Sequence, residues 1–343
     1  MTRLVPAEWE AHKAMWLGFP SHEILWQEDL IPAQAEVAAL ARVLAEMGDE
    51  HVKLMVMGDE AHKAAQSLLG DVERVEIVDG RFGDIWFRDT GPVYVADDPD
   101  EDDLHQAKPI GFRNNGWGGK YALPHDDEVS TQISASDGIE GELQDFILEG
   151  GAIDHDGHGT VLTTRQCLLN PNRNPGWTEE KAEAALKAAL GARKVIWLGD
   201  GMLNDHTDGH VDNLARFVAP GVVACPVAYG RDDPNADVYD ATARLLASQT
   251  DARGQSLQVV RIPSPGKVTD EDGEIVPASH MNFLIANDCV VVPIYKERPG
   301  ELAVEALQSL FPERQVVGLS SKAILTGGGS FHCISQQVPL IKA

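Results

Sequence analysis

The stretch DGHGTVLTTRQCLLNPNRNPGWTEEKAEAALKAALGARKVIWL, from Asp156 to Leu198, decides the fold. It opens on Asp156-Gly157, a turn-forming pair with strand-like residues on either side, which reads as a β-hairpin. Thr178 ahead of Glu179 and Glu180 reads as a capped helix start. Ala182, Ala185, Leu186, Ala189 and Leu190 then recur at helical spacing and make one apolar stripe. Lys194-Val195-Ile196-Trp197-Leu198 follows as a strand. The unit is therefore a hairpin, a helix and a further strand.

Working outward, the same order returns with a period of about 65 residues. A second copy runs from Leu214-Ala215-Arg216-Phe217-Val218 through the Pro220-Gly221 turn to Val222-Val223-Ala224, a helix after Pro234, and the strand from Leu257 to Ile262. In a third, strands 282–286 and 290–293 flank Asn287-Asp288, with a helix after Pro299 and the strand from Gln315 to Leu319. An earlier copy is marked by Gly91-Pro92-Val93-Tyr94-Val95, an acidic turn from Asp97 to Asp103, and Pro109-Ile110-Gly111-Phe112-Arg113. The fifth is split between the ends: Ile324-Leu325 through Gln337 pairs with Met15-Trp16-Leu17-Gly18-Phe19, and a helix at 32–47 and the strand from Val52 to Val56 complete it. A small mixed unit cannot bury its own apolar face, so five of them stacked around an axis give a common core. The expectation is an α/β fold of one domain over residues 1–343, a closed five-module propeller with pseudo-fivefold symmetry.

Polar residues that look out of place in these strands fall once per module: Asp89, Glu149, His210 with Asp212, and His332 with Cys333. In a closed ring, equivalent strand ends converge, so these groups are expected to meet. Of the four cysteines, Cys167, Cys225 and Cys289 sit in apolar runs and read as small buried hydrophobes, whereas Cys333 follows Gly327-Gly328-Gly329-Ser330-Phe331-His332 and stands apart. None forms a CxxC pair, so neither a zinc knuckle nor a disulfide framework is suggested.

The formal net charge of -26 argues against nucleic acid and anionic membranes as partners and suits a small cationic ligand. The N-terminus lacks the basic-then-apolar order of a signal peptide and no stretch reads as a membrane span, which predicts a cytoplasmic protein. Strand edges and apolar helix faces are compatible with a homo-oligomer, though no feature marks an interface.

Seven segments carry a family resemblance over nearly the whole chain. They are Pro6-Ala7-Glu8-Trp9-Glu10, Trp86-Phe87-Arg88-Asp89-Thr90-Gly91-Pro92, Asn115 to Tyr121, Glu149-Gly150-Gly151, Leu169 to Pro175, Thr207-Asp208-Gly209-His210-Val211-Asp212, and Gly327-Gly328-Gly329 leading to His332-Cys333. In these the sequence resembles the agmatine deiminase family, which groups with bacterial-type peptidyl-arginine deiminases. The resemblance implies the pentein fold, a place in polyamine biosynthesis, no cofactor or metal, and a catalytic set of Cys333, His210, Glu149, Asp89 and Asp212.

The chemistry of those residue types agrees. A guanidinium is a planar cation edged with N–H donors, so two carboxylates, Asp89 and Asp212, can hold its carbon at a fixed point. That carbon is a poor electrophile, and a thiolate at attack distance serves better than water. Cys333 is the expected nucleophile, His210 the acid and then the base, and Glu149 the group that orients His210 or else an acid closing the Gly150-Gly151 turn. The positive charge that a thiolate needs is His210, the substrate guanidinium, or both. Trp86 and Trp117 read as walls for the apolar part of the substrate or as core. Gly328 and Gly329 read as a loop that approaches the substrate or as a tight connection. Arg113 is a candidate for a substrate carboxylate. One competing enzyme reading is a binuclear metal ureohydrolase, because Asp208-Gly209-His210-Val211-Asp212 with His206 also fits a metal-ligand pattern. Another reading is a catalytically silent protein that binds a cationic partner.

Overall fold

The computed structural model describes residues 3–97 and 107–340. The described residues form a mixed α/β fold with five separate sheets, and each sheet follows one plan. In the stretch quoted above, Ile153–His155 runs antiparallel to Thr160–Thr164, which pairs on its other edge, in parallel, with Lys194–Leu198. The hairpin turn is held by Asp156, whose Oδ1 accepts the N–H groups of His158 and Thr160, each at 2.8 Å. An Asx turn of this kind is why Asp-Gly marks a hairpin. Thr178 caps the helix Glu179–Leu190, and Ala182, Leu186, Ala189 and Leu190 are buried against the sheet.

The other four sheets repeat the antiparallel pair and the parallel third strand. They are Arg216–Ala219, Val222–Val227 and Gln258–Pro263; Leu284–Ile285, Cys289–Ile294 and Gln315–Ser320; Val93–Asp97, Lys108–Arg113 and Glu142–Ile147; and Ser335–Pro339, His12–Gly18 and Val52–Val56. Two of them gain an outer strand, Arg3–Leu4 and Val75–Asp79. The split module therefore exists: the strand beyond Cys333 closes on the strand that follows residue 11.

Several details differ from the expectation. The helix Glu297–Gln308 starts ahead of Pro299, which sits in its first turn, where a missing N–H costs no hydrogen bond. Ile324 and Leu325 lie in the short helix Lys322–Thr326 rather than in a strand. The helix Val129–Ser136 and the strand Glu142–Ile147 complete the earlier copy, and polar residues hide the period of both. Of the acidic turn, Asp97 ends a strand and pairs with Arg3 at 3.0 Å, and residues 98–103 lie outside the described residues. No described helix is long and apolar enough to cross a membrane.

The sheets are joined by a buried ionic knot. Arg216, with no solvent exposure, donates from Nε to Asp154 Oδ2 at 2.7 Å, from Nη2 to Glu8, and from Nη1 to the carbonyls of Met281 and Phe283. Glu8 in turn accepts the Ile285 N–H at 2.9 Å. Burial pushes the Glu8 carboxyl up, but the Arg216 and His332 charges outweigh it and hold it well below the usual range. Replacing Arg216 by methionine leaves two buried carboxylates without their cation. It is expected to cost about 3–5 kcal/mol, read as a lower urea midpoint, and an unchanged midpoint would mean that the knot contributes no stability.

Candidate active site

Each sheet's first strand is preceded by one turn of chain: Phe87–Thr90, Gly150–Ala152, Val211–Asn213, His280–Asn282, and the turn before Ser335–Pro339. These five turns carry the site. Three of them come together at Gly151, where a Cβ would lie 2.7 Å from His210 Nδ1, 2.8 Å from Asp89 Oδ1 and 3.1 Å from Asp212 Oδ2. Asp89, His210 and Asp212, which the sequence spaced over two modules, thus meet around a glycine of a third.

Cys333 sits beside them, 5% exposed. Its Sγ lies 3.7 Å from Asp212 Oδ2 and accepts from Asn282 Nδ2 at 3.1 Å. Burial first, then Asp212 and Asp89, push the thiol well above its ordinary value, so the resting site holds a protonated thiol. Asp212 Oδ2 is also bonded to His332 Nδ1 at 2.8 Å, while its Oδ1 has no partner. Burial raises the Asp212 carboxyl, and the His332 hydrogen bond reverses this and leaves it below the usual range. Asp89 accepts from Trp117 Nε1 at 2.8 Å and from the Gly151 N–H at 2.9 Å, and burial pushes it up to about 6. His210 is fully buried with neither ring nitrogen hydrogen-bonded. Burial disfavours its imidazolium, yet Asp89, Cys167 and Glu149 together raise its pKa well above the ordinary value.

Glu149 makes no side-chain cap on the turn Gly150–Ala152, so its reading as a turn-closing acid fails. It accepts instead from Arg173 Nε at 2.7 Å. Arg173 comes from the Leu169-to-Pro175 segment and also binds Asp208 Oδ2 at 2.5 Å and the Thr207 carbonyl at 2.8 Å. Asp208 is further held by Lys120 at 2.6 Å and Asn172 at 2.9 Å. His206 lies against Tyr121, its Nδ1 2.9 Å from the hydroxyl. Asp208 and His206 are thus committed elsewhere and do not join His210 and Asp212 as a binuclear ligand set.

A cavity of about 380 Å³ opens onto the thiol, and Trp86, Asp89, Trp117, Gly328, Gly329 and Cys333 all line it. The two tryptophans are both wall and core: each is buried, and their indole N–H groups are used, Trp86 on Asp84 at 2.7 Å and Trp117 on Asp89. Gly329 lies where a Cβ would come 2.5 Å from the Trp86 ring, and Gly328 takes a φ of +103°, so the glycine run is needed for close approach. Arg113 is exposed, pairs with Asp145 at 2.5 Å, and takes no part in the cavity.

Three participants escaped the sequence reading. Asp84, pushed up to about 6 by burial, tethers both Trp26 and Trp86. Arg173 anchors Glu149. Asn282 accepts the N–H groups of His332 at 3.0 Å and Cys333 at 3.2 Å and donates to the thiol, and it occupies the one module to which no polar residue had been assigned. The repeat itself was the signal for it. Asn282→Ala is expected to raise the thiol pKa, because it removes a donor that favours the thiolate. The pH midpoint for alkylation of Cys333 by iodoacetamide should move upward, with kcat/KM falling about 10–100-fold. An unmoved midpoint would remove Asn282 from this role.

The sequence profile described as Porphyromonas-type peptidyl-arginine deiminase matches residues 4–339. The agmatine deiminase of Stutzerimonas stutzeri is 36% identical over 98% of this chain and 95% of its own length. That of Ectopseudomonas mendocina is likewise 36% identical, with coverage of 98% and 95%. The solved agmatine deiminase of Enterococcus faecalis superposes with a TM-score of 0.91 at 31% identity, covering 99% of this chain and 97% of that one. With a profile match across nearly its whole length and full-length relatives above 30% identity, the chain belongs to the Porphyromonas-type peptidyl-arginine deiminase family, in the company of agmatine deiminases.

Proposed function

We propose that the chain is an agmatine deiminase, a hydrolase acting on a C–N bond of a linear amidine. It converts agmatine and water to N-carbamoylputrescine and ammonia, a step suited to polyamine and putrescine formation. The observation that carries the reading is the meeting of a thiol, an imidazole and two carboxylates in one buried cluster, of which Cys333 and Asp89 line a tryptophan-walled cavity and His210 and Asp212 lie behind them. The same reading takes residues 1–343 as one pentein catalytic domain, a propeller of five modules in pseudo-fivefold order. Five sheets of one plan, with three of the leading turns meeting at Gly151 and the other two tied to Asp212 through Asn282 and His332, support that arrangement. Four free, buried cysteines fit a reducing, cytoplasmic setting.

In this mechanism the guanidinium enters between Asp89 and Asp212, whose free Oδ1 accepts one of its N–H groups. Its positive charge offsets the two carboxylates that hold the thiol protonated, and the Cys333 proton passes to solvent through the cavity as the substrate settles. The thiolate adds to the guanidinium carbon. The His210 imidazolium, favoured by Asp89, gives its proton to the departing nitrogen, ammonia leaves, and an S-alkylthiouronium remains on Cys333. Neutral His210 then takes one proton from an entering water as its oxygen adds to the carbon, the C–S bond breaks with its electron pair going to sulfur, the remaining hydroxyl proton passes to that sulfur to restore the Cys333 thiol, and the ureido product departs. Glu149, fixed by Arg173, holds its place beside His210 throughout.

Ammonia release from agmatine, free arginine and an arginine-containing peptide, with and without EDTA, tests this. Agmatine alone should be turned over rapidly and EDTA should not lower the rate. Preference for arginine or the peptide would replace the substrate, and loss of turnover with EDTA would favour a metal ureohydrolase.

A further inference from the structure

We infer that Glu149, Cys167 and His210 form a binding site for a soft divalent metal ion such as zinc, and that its occupation switches the site off reversibly. The switching rests on the deiminase reading above, whereas the binding does not.

One ligand atom from each of the three residues, a carboxylate oxygen, a thiol sulfur and a ring nitrogen, lies within 4.8 Å of the other two, and all three side chains are buried. It is the single such grouping among the described residues. Ligands on a tetrahedral zinc stand about 3.3–3.6 Å apart, given Zn–N near 2.0 Å and Zn–S near 2.3 Å. Small side-chain rotations cover the difference. A second observation points the same way: neither nitrogen of the fully buried His210 is engaged in a hydrogen bond, so the lone pair exposed when the imidazolium gives up a proton is open to an incoming ion.

The position of Cys167 is fixed rather than incidental. It lies on the one-turn helix Arg165–Leu168, capped by Thr164, whose Oγ1 accepts the Cys167 N–H at 3.2 Å. The same hydroxyl donates to the Gly209 carbonyl at 2.6 Å, pinning the thiol-bearing turn to the residue before His210. All three non-nucleophile cysteines, Cys167, Cys225 and Cys289, belong to apolar clusters, and Cys225 and Cys289 fit the reading of small hydrophobes. Cys167 shares that burial but faces an imidazole and a carboxylate. One thiolate, one imidazole and one carboxylate select zinc over calcium or magnesium.

Binding exchanges protons for the ion: the Cys167 thiol and the His210 imidazolium each release one, so the site should fill less readily as pH falls. A metal-bound His210 has no proton for the leaving nitrogen and no lone pair for water. The enzyme stops until a chelator removes the ion.

Cobalt(II), which gives a near-ultraviolet charge-transfer band when bound by a thiolate, provides the test. In Cys333→Ser protein, one equivalent of cobalt should produce the band and zinc should displace it, while adding Cys167→Ala should abolish it. Should the Cys167→Ala change unfold the chain, Cys167→Ser keeps the volume with a poorer ligand. In Cys333-containing enzyme, Cys167→Ala should raise the zinc inhibition constant about 10–100-fold, each variant being compared with its own zinc-free rate. A band that needs Cys333, or zinc inhibition unchanged without Cys167, places the ion on the nucleophile and overturns the inference. A band in the Cys333→Ser protein together with no agmatine turnover by the metal-free unsubstituted chain keeps the site and rejects the deiminase. Turnover without a band does the reverse.

Discussion

Cys333→Ala should release ammonia from agmatine at least about 10⁴-fold more slowly than the unsubstituted chain. The change removes one sulfur from a buried site and leaves the backbone alone, so the protein should fold normally. Asn282 loses one acceptor and keeps its bonds to the N–H groups of His332 and Cys333. Agmatine should still bind, since Asp89 and Asp212 remain, and calorimetry on the inactive variant would measure this. The pH dependence follows from the direction of the thiol shift. Free Cys333 is held protonated, so alkylation should accelerate as pH rises through an alkaline midpoint, and agmatine should bring that midpoint down if its cation is what frees the thiolate. Turnover that survives the alanine would end the covalent reading. If EDTA then stopped it, a metal-activated water would take its place.

Gly151→Ala should cost about 10²–10³-fold in kcat/KM and about 1–3 kcal/mol in stability. Gly151 is not among the glycines held at positive φ, so the backbone itself accepts alanine. The whole effect comes from the methyl group, which would stand less than van der Waals distance from His210 Nδ1 and Asp89 Oδ1 and close to Asp212 Oδ2. At least two of the three must move, and the Gly151 N–H bond to Asp89 moves with them. A variant within threefold of the unsubstituted enzyme would mean that these groups do not meet in the working enzyme as they do here.

The modules were legible because their turns are written in local chemistry. Asp156 binds its own hairpin and Thr178 caps its own helix, so both elements announce themselves within a few residues. The helix Val129–Ser136 carries serines and threonine where a stripe of alanine and leucine would advertise it, and its period is lost. Asp89, Glu149, His210, Asp212 and Cys333 stood out as polar residues at a repeated point. Asn282 holds the equivalent place, but an amide among Met281 and Phe283 looks structural until its nitrogen is seen on the thiol. Cys167 shows a different limit. Its neighbours Leu168 and Leu169 reveal that it is buried, and nothing along the chain reveals what lies across from it. Arg113 failed for the same reason, being paired with Asp145 at the end of a strand.

The sheet that joins Ser335–Pro339 to His12–Gly18 has a consequence in time. Contacts between residues so far apart in sequence close late, because the intervening chain must first be ordered. On a ribosome, Asp89, Glu149, His210 and Asp212 emerge before Cys333 has been translated. Cys333 arrives with the strand that completes this sheet, so under the proposed mechanism a nascent or partly folded molecule carries its acids and its imidazole but no nucleophile in place. Reactivity is thereby withheld until the last seam is sewn.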